Sequence, residues 1–337
     1  MKRNAGFTLI ELMIAVTLGL IVLAALTSFF VRTSYNRSEL ERTSRQIENG
    51  RYAISTLRDD MMLAGFYADI TSSAAVWETP AACETTTTAM GWTANVLNPH
   101  LPVPVFIYPL GAGRPTACTP NYLAGTDVIV VRRFNSEPIA VASAVANLPY
   151  VQVSECSTDV APNVPFVFNT GTGGGFAAKA RNCSTVASLW RYREQVYYVR
   201  DYSVNVGDGI PTLVRMELDV DSSGARVMNP VPLVEGIENL RMDLGVDNDG
   251  DGAPDQWRRC EAATPCTMTD YSNVMAAKVY VLSRNLEQTR DYVDNKTYDL
   301  GVSGGVTASG DQYKRHVYSA LISLPNRVGP REPSLAS

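Results

Sequence analysis

The hydrophobic pattern divides the chain near residue 31. From Phe7 to Val31 the segment FTLIELMIAVTLGLIVLAALTSFFV is apolar from end to end apart from one carboxylate, Glu11. At about 1.5 Å rise per residue, a helix of that length spans roughly 38 Å, enough to cross a hydrocarbon layer of about 30 Å with some tilt. After Val31 the sequence turns polar but keeps a helical period. Leu40, Ile47, Ile54 and Met61 recur every seven residues, with Leu57 and Ala64 filling intermediate turns, which draws an apolar stripe on one face. The pattern predicts one helix from about residue 8 to residue 66, ending near Gly65, with Gly50 its main internal weak point. Its second half should pack the stripe on a globular region. Arg37, Glu39, Glu41, Arg42 and Arg45, and the acid pair Asp59 and Asp60, read as a solvated helix face.

Beyond the helix the periodicity changes. Ile70 to about Gly125 is loop-like, rich in proline and threonine. Asp127–Phe134 is the first clear strand, short and β-branched. Strands are then predicted at Ala187–Asp201, Thr212–Leu218, Val231–Val246, Asn273–Arg284 and His316–Leu324, with turns at Gly207–Gly209 and Ser222–Gly224 that make antiparallel neighbours. The alternation of Trp190, Tyr192, Val196 and Tyr198 suits a strand with one buried face. These elements predict an α+β fold: a long N-terminal helix packed on a mainly antiparallel, β-rich head. The segment NTGTGGGF lacks the lysine of a phosphate loop, since Phe176 follows Gly175, and reads as a plain loop.

Charge and cysteines refine this outline. Lys2 and Arg3 precede the apolar segment and orient the N-terminus toward the cytoplasm, so everything after Val31 is exported. The formal charge is −5, and an acidic exported region argues against a broad nucleic-acid surface. All six cysteines, Cys83, Cys118, Cys156, Cys183, Cys260 and Cys266, lie in the exported part. An even number there points to disulfides. Sequence alone permits fifteen arrangements; sequential pairing is the working expectation, with Cys260–Cys266 closing the shortest loop.

A carboxylate at mid-span costs about 2.5–3.5 kcal/mol to insert, and less near the end, so Glu11 calls for a partner. Cutting between Gly6 and Phe7 would free an amine within a helical turn of it. Gly6-Phe7-Thr8-Leu9-Ile10-Glu11, after a short basic leader and before an apolar helix, resembles the type IV prepilins. The resemblance implies cleavage after Gly6 by a prepilin peptidase, methylation of the Phe7 amine, and packing of the helix in a filament core, where Glu11 contacts a neighbour's amine. The absence of a mid-helix proline departs from many major pilins. Leu233-Val-Glu-Gly-Ile-Glu-Asn-Leu240, followed by Gly245-Val-Asp247 and an acidic loop, is similar to the C-terminal part of PilW-type minor pilins, and Leu324-Pro-Asn-Arg327 is a weaker echo. This resemblance implies a pilin-like head with long disulfide-bonded loops and a non-enzymatic subunit that primes or caps pilus assembly. Implied partners are other minor pilins, the major pilin, the peptidase and the inner-membrane assembly machinery. The implied location is the inner membrane, by a single pass, before assembly, then the periplasm and the surface pilus. The organisation expected is a leader (1–6), a transmembrane or filament-core helix (7–31), its amphipathic half (32–68), a β-rich head (69–329) and a disordered tail (330–337). Related readings are a minor pseudopilin of type II secretion and an adhesin carried on a pilin stem.

One further motif carries chemistry. Asp247, Asp249, Asp251 and Asp255 fall at positions 1, 3, 5 and 9 of an EF-hand-like loop, with Gly252 at the turn position and the Ala253 carbonyl as a fifth donor. Such alternating hard oxygens suit Ca2+. Arg258 replaces the bidentate glutamate at the last position, so another ligand is expected from water, Asp243 or Glu261. The competing reading is a solvated Asp-Gly turn. No catalytic pattern is evident: His100 and His316 lack a nucleophile context, and the serines lack a GxSxG elbow.

Overall fold

The computed structural model describes residues 8–70, 75–95, 98–110, 113–160, 165–171, 173–301 and 304–328. The predicted leader, the Gly6–Phe7 cleavage point and the tail lie outside these residues. A single helix, α1, runs from Leu9 to Met62. Thr8 caps it: the Thr8 hydroxyl accepts the Glu11 amide, and the Glu11 carboxylate accepts the Thr8 amide in return. The helix ends four residues short of the expected 66 because Gly65, at φ +75°, turns the chain and donates its amide to the Arg132 carbonyl.

The buried face of α1 differs from the predicted stripe. It is formed by Gln46, Gly50, Ala53, Leu57, Asp60 and Met61, while Leu40 is 72% exposed. The reason lies in the partner surface. A Cβ at Gly50 would fall 2.1 Å from Cε2 of Tyr318, so the glycine is the seat of that ring rather than a weak point. Gln46 is buried because its amide nitrogen donates to the carbonyls of Ser283 and Lys314. Asp60, expected in solvent, is also buried; Asp59 remains exposed.

The strands among the described residues are β1 (Val76–Glu78), β2 (His100–Pro102), β3 (Val105–Tyr108), β4 (Val128–Phe134), β5 (Pro149–Val153), β6 (Phe166–Thr170), β7 (Leu189–Arg200), β8 (Thr212–Val220), β9 (Arg226–Glu235), β10 (Ile237–Val246), β11 (Gln256–Arg258), β12 (Val274–Arg284), β13 (Thr297–Asp299), β14 (Gly305–Thr307) and β15 (Arg315–Ser323). A seven-stranded sheet has β3, β4, β7, β5 and β6 along its main path, with β8 added on β7 and β9 on β8. A four-stranded sheet is ordered β11, β10, β12, β15. β1 pairs parallel with β2; the other strand pairs are antiparallel.

Val231–Val246, expected as one strand, is two. Gly236, at φ +75°, breaks it, and a Cβ there would lie 2.8 Å from the Arg284 carbonyl oxygen. The break moves the chain from the large sheet to the small one. The principal core fills the space between them: Ile129, Val131, Tyr197 and Val199 meet Leu240, Met242, Val279 and Val281, with Ala53, Leu57 and Met61 of α1. β7 is buried on both faces from Glu194 onward, not on one as its alternation predicted. The stretch expected to be loop-like contains β1, β2 and β3. It also supplies Trp92, whose ring lies among Tyr67, Phe134, Phe166 and Tyr192 in a second, aromatic core.

Candidate functional site

Three features of the molecule bear on function. The first is the bare half of α1. Its residues from Leu9 to Val31 are exposed throughout, Phe29 at 70% and Phe30 at 72%, and nothing in the head covers them. Soluble proteins do not leave a surface of this size to water, so it is built to be covered by lipid or by other helices. Glu11 lies on this surface, its carboxylate bonded at 2.8 Å by the Thr8 hydroxyl and at 2.9 Å by the Thr8 amide. The helix thus supplies Glu11 with a partner of its own before any neighbour arrives.

The second feature is the junction that makes helix and head one body. The Asp60 carboxylate accepts from Arg133 Nε at 2.7 Å and from the Tyr197 hydroxyl at 2.9 Å, joining the top of α1 to β4 and β7. Burial, then the Asp60 charge, push the Tyr197 phenol well above its ordinary pKa, so it stays a donor. Lower down, Glu39 bonds Lys314, Thr289 and Arg42, and Arg42 reaches Glu287 at 2.6 Å. Glu39 and Arg42, expected in solvent, therefore clamp the loop before β13; Arg37 and Glu41 do face solvent. Behind the clamp, Arg315 gathers Glu238, Asp294 and Asp311. Its hydrogen bond holds Asp311 down to about 2, against some desolvation. For Asp294 burial opposes ionisation, but the bonds from Tyr298 and Arg315 win and its pKa is lowered. Sequence reasoning missed Asp60, Glu39 and Arg315 because each has a partner more than seventy residues away, Arg133, Lys314 and Glu238 respectively. The available hint was that Asp60 stands next to Met61 of the stripe and on the same seven-residue spacing as Ala53 and Gln46, the face that the helix buries.

The third feature is the acidic loop between β10 and β11. Asp247, Asp249 and Asp255 each bring a carboxylate oxygen within 4.8 Å of the others. Asp247 is buried and its two oxygens accept the amides of Gly250 and Gly252 at 2.6 and 3.1 Å. Asp255 accepts the Asn248 amide at 2.6 Å. Asp251 does not join this group; its carboxylate accepts the Ala253 amide at 2.8 Å. Of the residues considered as supplementary ligands, Asp243 is engaged on one side by Arg259 at 2.6 Å; Arg258, at the last position of the loop pattern, pairs with Asp270 at 2.7 Å.

Disulfides join Cys83 to Cys118, Cys156 to Cys183 and Cys260 to Cys266. The first is fixed further by the Cys83 amide, which donates to Glu194, itself paired with the fully buried Arg132 at 2.7 Å. Arg132 also donates to the Pro80 carbonyl, so one buried ion pair anchors the long connection to the large sheet.

The chain is thus a long apolar helix carrying a disulfide-bonded, antiparallel β head. Residues 196–326 match the sequence model of type IV pilus-assembly protein W, and residues 1–27 match the prokaryotic N-terminal methylation motif. Together these matches support a type IV pilus minor pilin of the PilW type. A type IV-like pilin from Thermus thermophilus aligns over 84% of this chain and 97% of its own, at 12% identity and a TM-score of 0.39, a likeness too loose to carry weight by itself. Comparison with curated proteins gives no match.

Proposed function

We propose that the chain is a minor pilin that primes or caps type IV pilus assembly from the inner membrane, and that it does so as a structural subunit rather than as an enzyme. The observation that supports this most directly is the uncovered apolar surface of Leu9–Val31 on a helix rigidly joined to a folded head. In this reading the prepilin peptidase cuts between Gly6 and Phe7, the Phe7 amine is methylated, and the helix leaves lipid for a bundle of other minor and major pilin helices. There Glu11 exchanges its Thr8 cap for a neighbour's amine. The capped state keeps the carboxylate hydrogen-bonded while the subunit waits.

In the same reading the acidic loop binds Ca2+ through Asp247, Asp249 and Asp255. The donors are hard oxygens, and Asp247 is already oriented by two amides; calcium's remaining coordination sites would be filled by water and backbone oxygens. When bound, the ion would screen the mutual repulsion of these carboxylates.

Deleting the gene tests the assignment. Loss of surface pili and twitching, with secretion intact, supports it. A secretion defect with normal pili would instead place the chain among the minor pseudopilins of type II secretion.

A further inference from the structure

The clamp between α1 and the head has a consequence for the subunit while it is still in the membrane. The apolar surface ends with Phe29, Phe30 and Val31, all strongly exposed, and Arg32 is the next residue, which sets the hydrocarbon boundary at Val31. The head begins almost at once above it. The Tyr35 hydroxyl donates to the Arg290 carbonyl, and Arg42 donates to the Gln288 carbonyl while pairing with Glu287. Tyr35 lies four helical steps beyond Val31, an axial rise of about 6 Å, and any tilt brings the contact closer to the boundary. The polar layer on each face of a bilayer is of about that thickness, roughly 5–7 Å.

We propose that the tip of the loop before β13, Arg290–Val293, is a membrane-contact surface of the unassembled subunit, touching the phospholipid headgroup layer. Its composition fits that layer. Val293 is 59% exposed and Tyr35 is 42% exposed. Amphipathic rings of this kind favour the interface. Arg32 and Arg290 supply cations at the same height, Arg290 at 85% side-chain exposure. Asp291, the acid at this tip, is partly offset by Arg290 at 3.7 Å. A head held this way stands in one orientation on the membrane, presenting its upper loops away from it, instead of swinging on a stalk.

The inference rests on the reading of Leu9–Val31 as a span, and the test separates the two. The full-length protein is placed in nanodiscs of phosphatidylcholine and phosphatidylglycerol, with a nitroxide on Val293→Cys, on Val186→Cys at the far end of the head, or on Leu23→Cys. All native cysteines are engaged in disulfides, so the added thiol is labelled selectively. The expected result is a several-fold lower accessibility to a water-soluble nickel relaxant at 293 than at 186, with 23 reporting hydrocarbon depth. Equal accessibility at 293 and 186, with 23 still in hydrocarbon, overturns the membrane contact and leaves the span intact. If 23 is accessible to the aqueous relaxant, the span fails, and the membrane contact with it.

Discussion

At the scale of single residues, position rather than type decides what each group does. Gly50 illustrates it: in a helix interior a glycine is a weakness, yet here the Tyr318 ring occupies the space a Cβ would need. Gly50→Val should therefore lose stability despite better helix propensity, by about 1–3 kcal/mol, the range typical of overpacking. Thermal unfolding of the purified protein measures this, and Tyr318→Ala in the same chain should recover part of the loss. Equal melting of Gly50→Val and wild type would show that the ring does not depend on that seat. Asp60 makes the same point in the other direction. Next to the exposed Asp59, it is carried inward by one step of helix rotation and meets Arg133 and Tyr197.

Among the elements, the clamp around Arg315 and the acidic loop respond to solution conditions in different ways. The Asp311 pKa lies at about 2 in the folded chain, below its ordinary 3.8, because Arg315 bonds the ionised form. That stabilisation is complete above the ordinary value. It is lost as pH falls from 3.8 toward about 2, because the unfolded chain takes up the proton first. Asp294 acts in the same sense. Arg315→Gln should be less stable than wild type at about pH 6 and should lose less on acidification to about pH 2.5, as read by denaturant unfolding at each pH. A parallel decline of the two proteins would remove Arg315 as the cause. For the acidic loop, Ca2+ should raise the melting temperature, and Asp249→Ala should abolish the rise. An unchanged melting curve in the presence of a chelator, against added Ca2+, would sink the site.

Across the whole molecule, the sequence reveals what depends on neighbours in the chain and hides what depends on distant ones. The apolar span, the continuation of α1 and the strands at β4, β7, β8 and β12 follow from local periodicity, and they stand where the pattern placed them to within a few residues. The rotation of α1 against the head was not legible, because it is set by Tyr318, Ser283 and Lys314, more than two hundred residues away. The split at Gly236 was hidden in a continuous β-prone run, since the glycine's role depends on the approach of the Arg284 carbonyl. In the acidic loop the spacing brought Asp247, Asp249 and Asp255 together as alternation implies, while Asp251 turned to the Ala253 amide, a local bond that competes with convergence.

The central claim, that this helix passes from membrane to filament after cleavage, is tested most directly by mass spectrometry of sheared pili from cells carrying the wild-type chain or Glu11→Ala. Wild-type pili should contain a minor component whose N-terminal peptide begins with N-methylated Phe7, and the pili of the variant should show a marked loss of that peptide. Absence of the chain from wild-type pili, or its presence there with Met1–Gly6 still attached, would contradict the account.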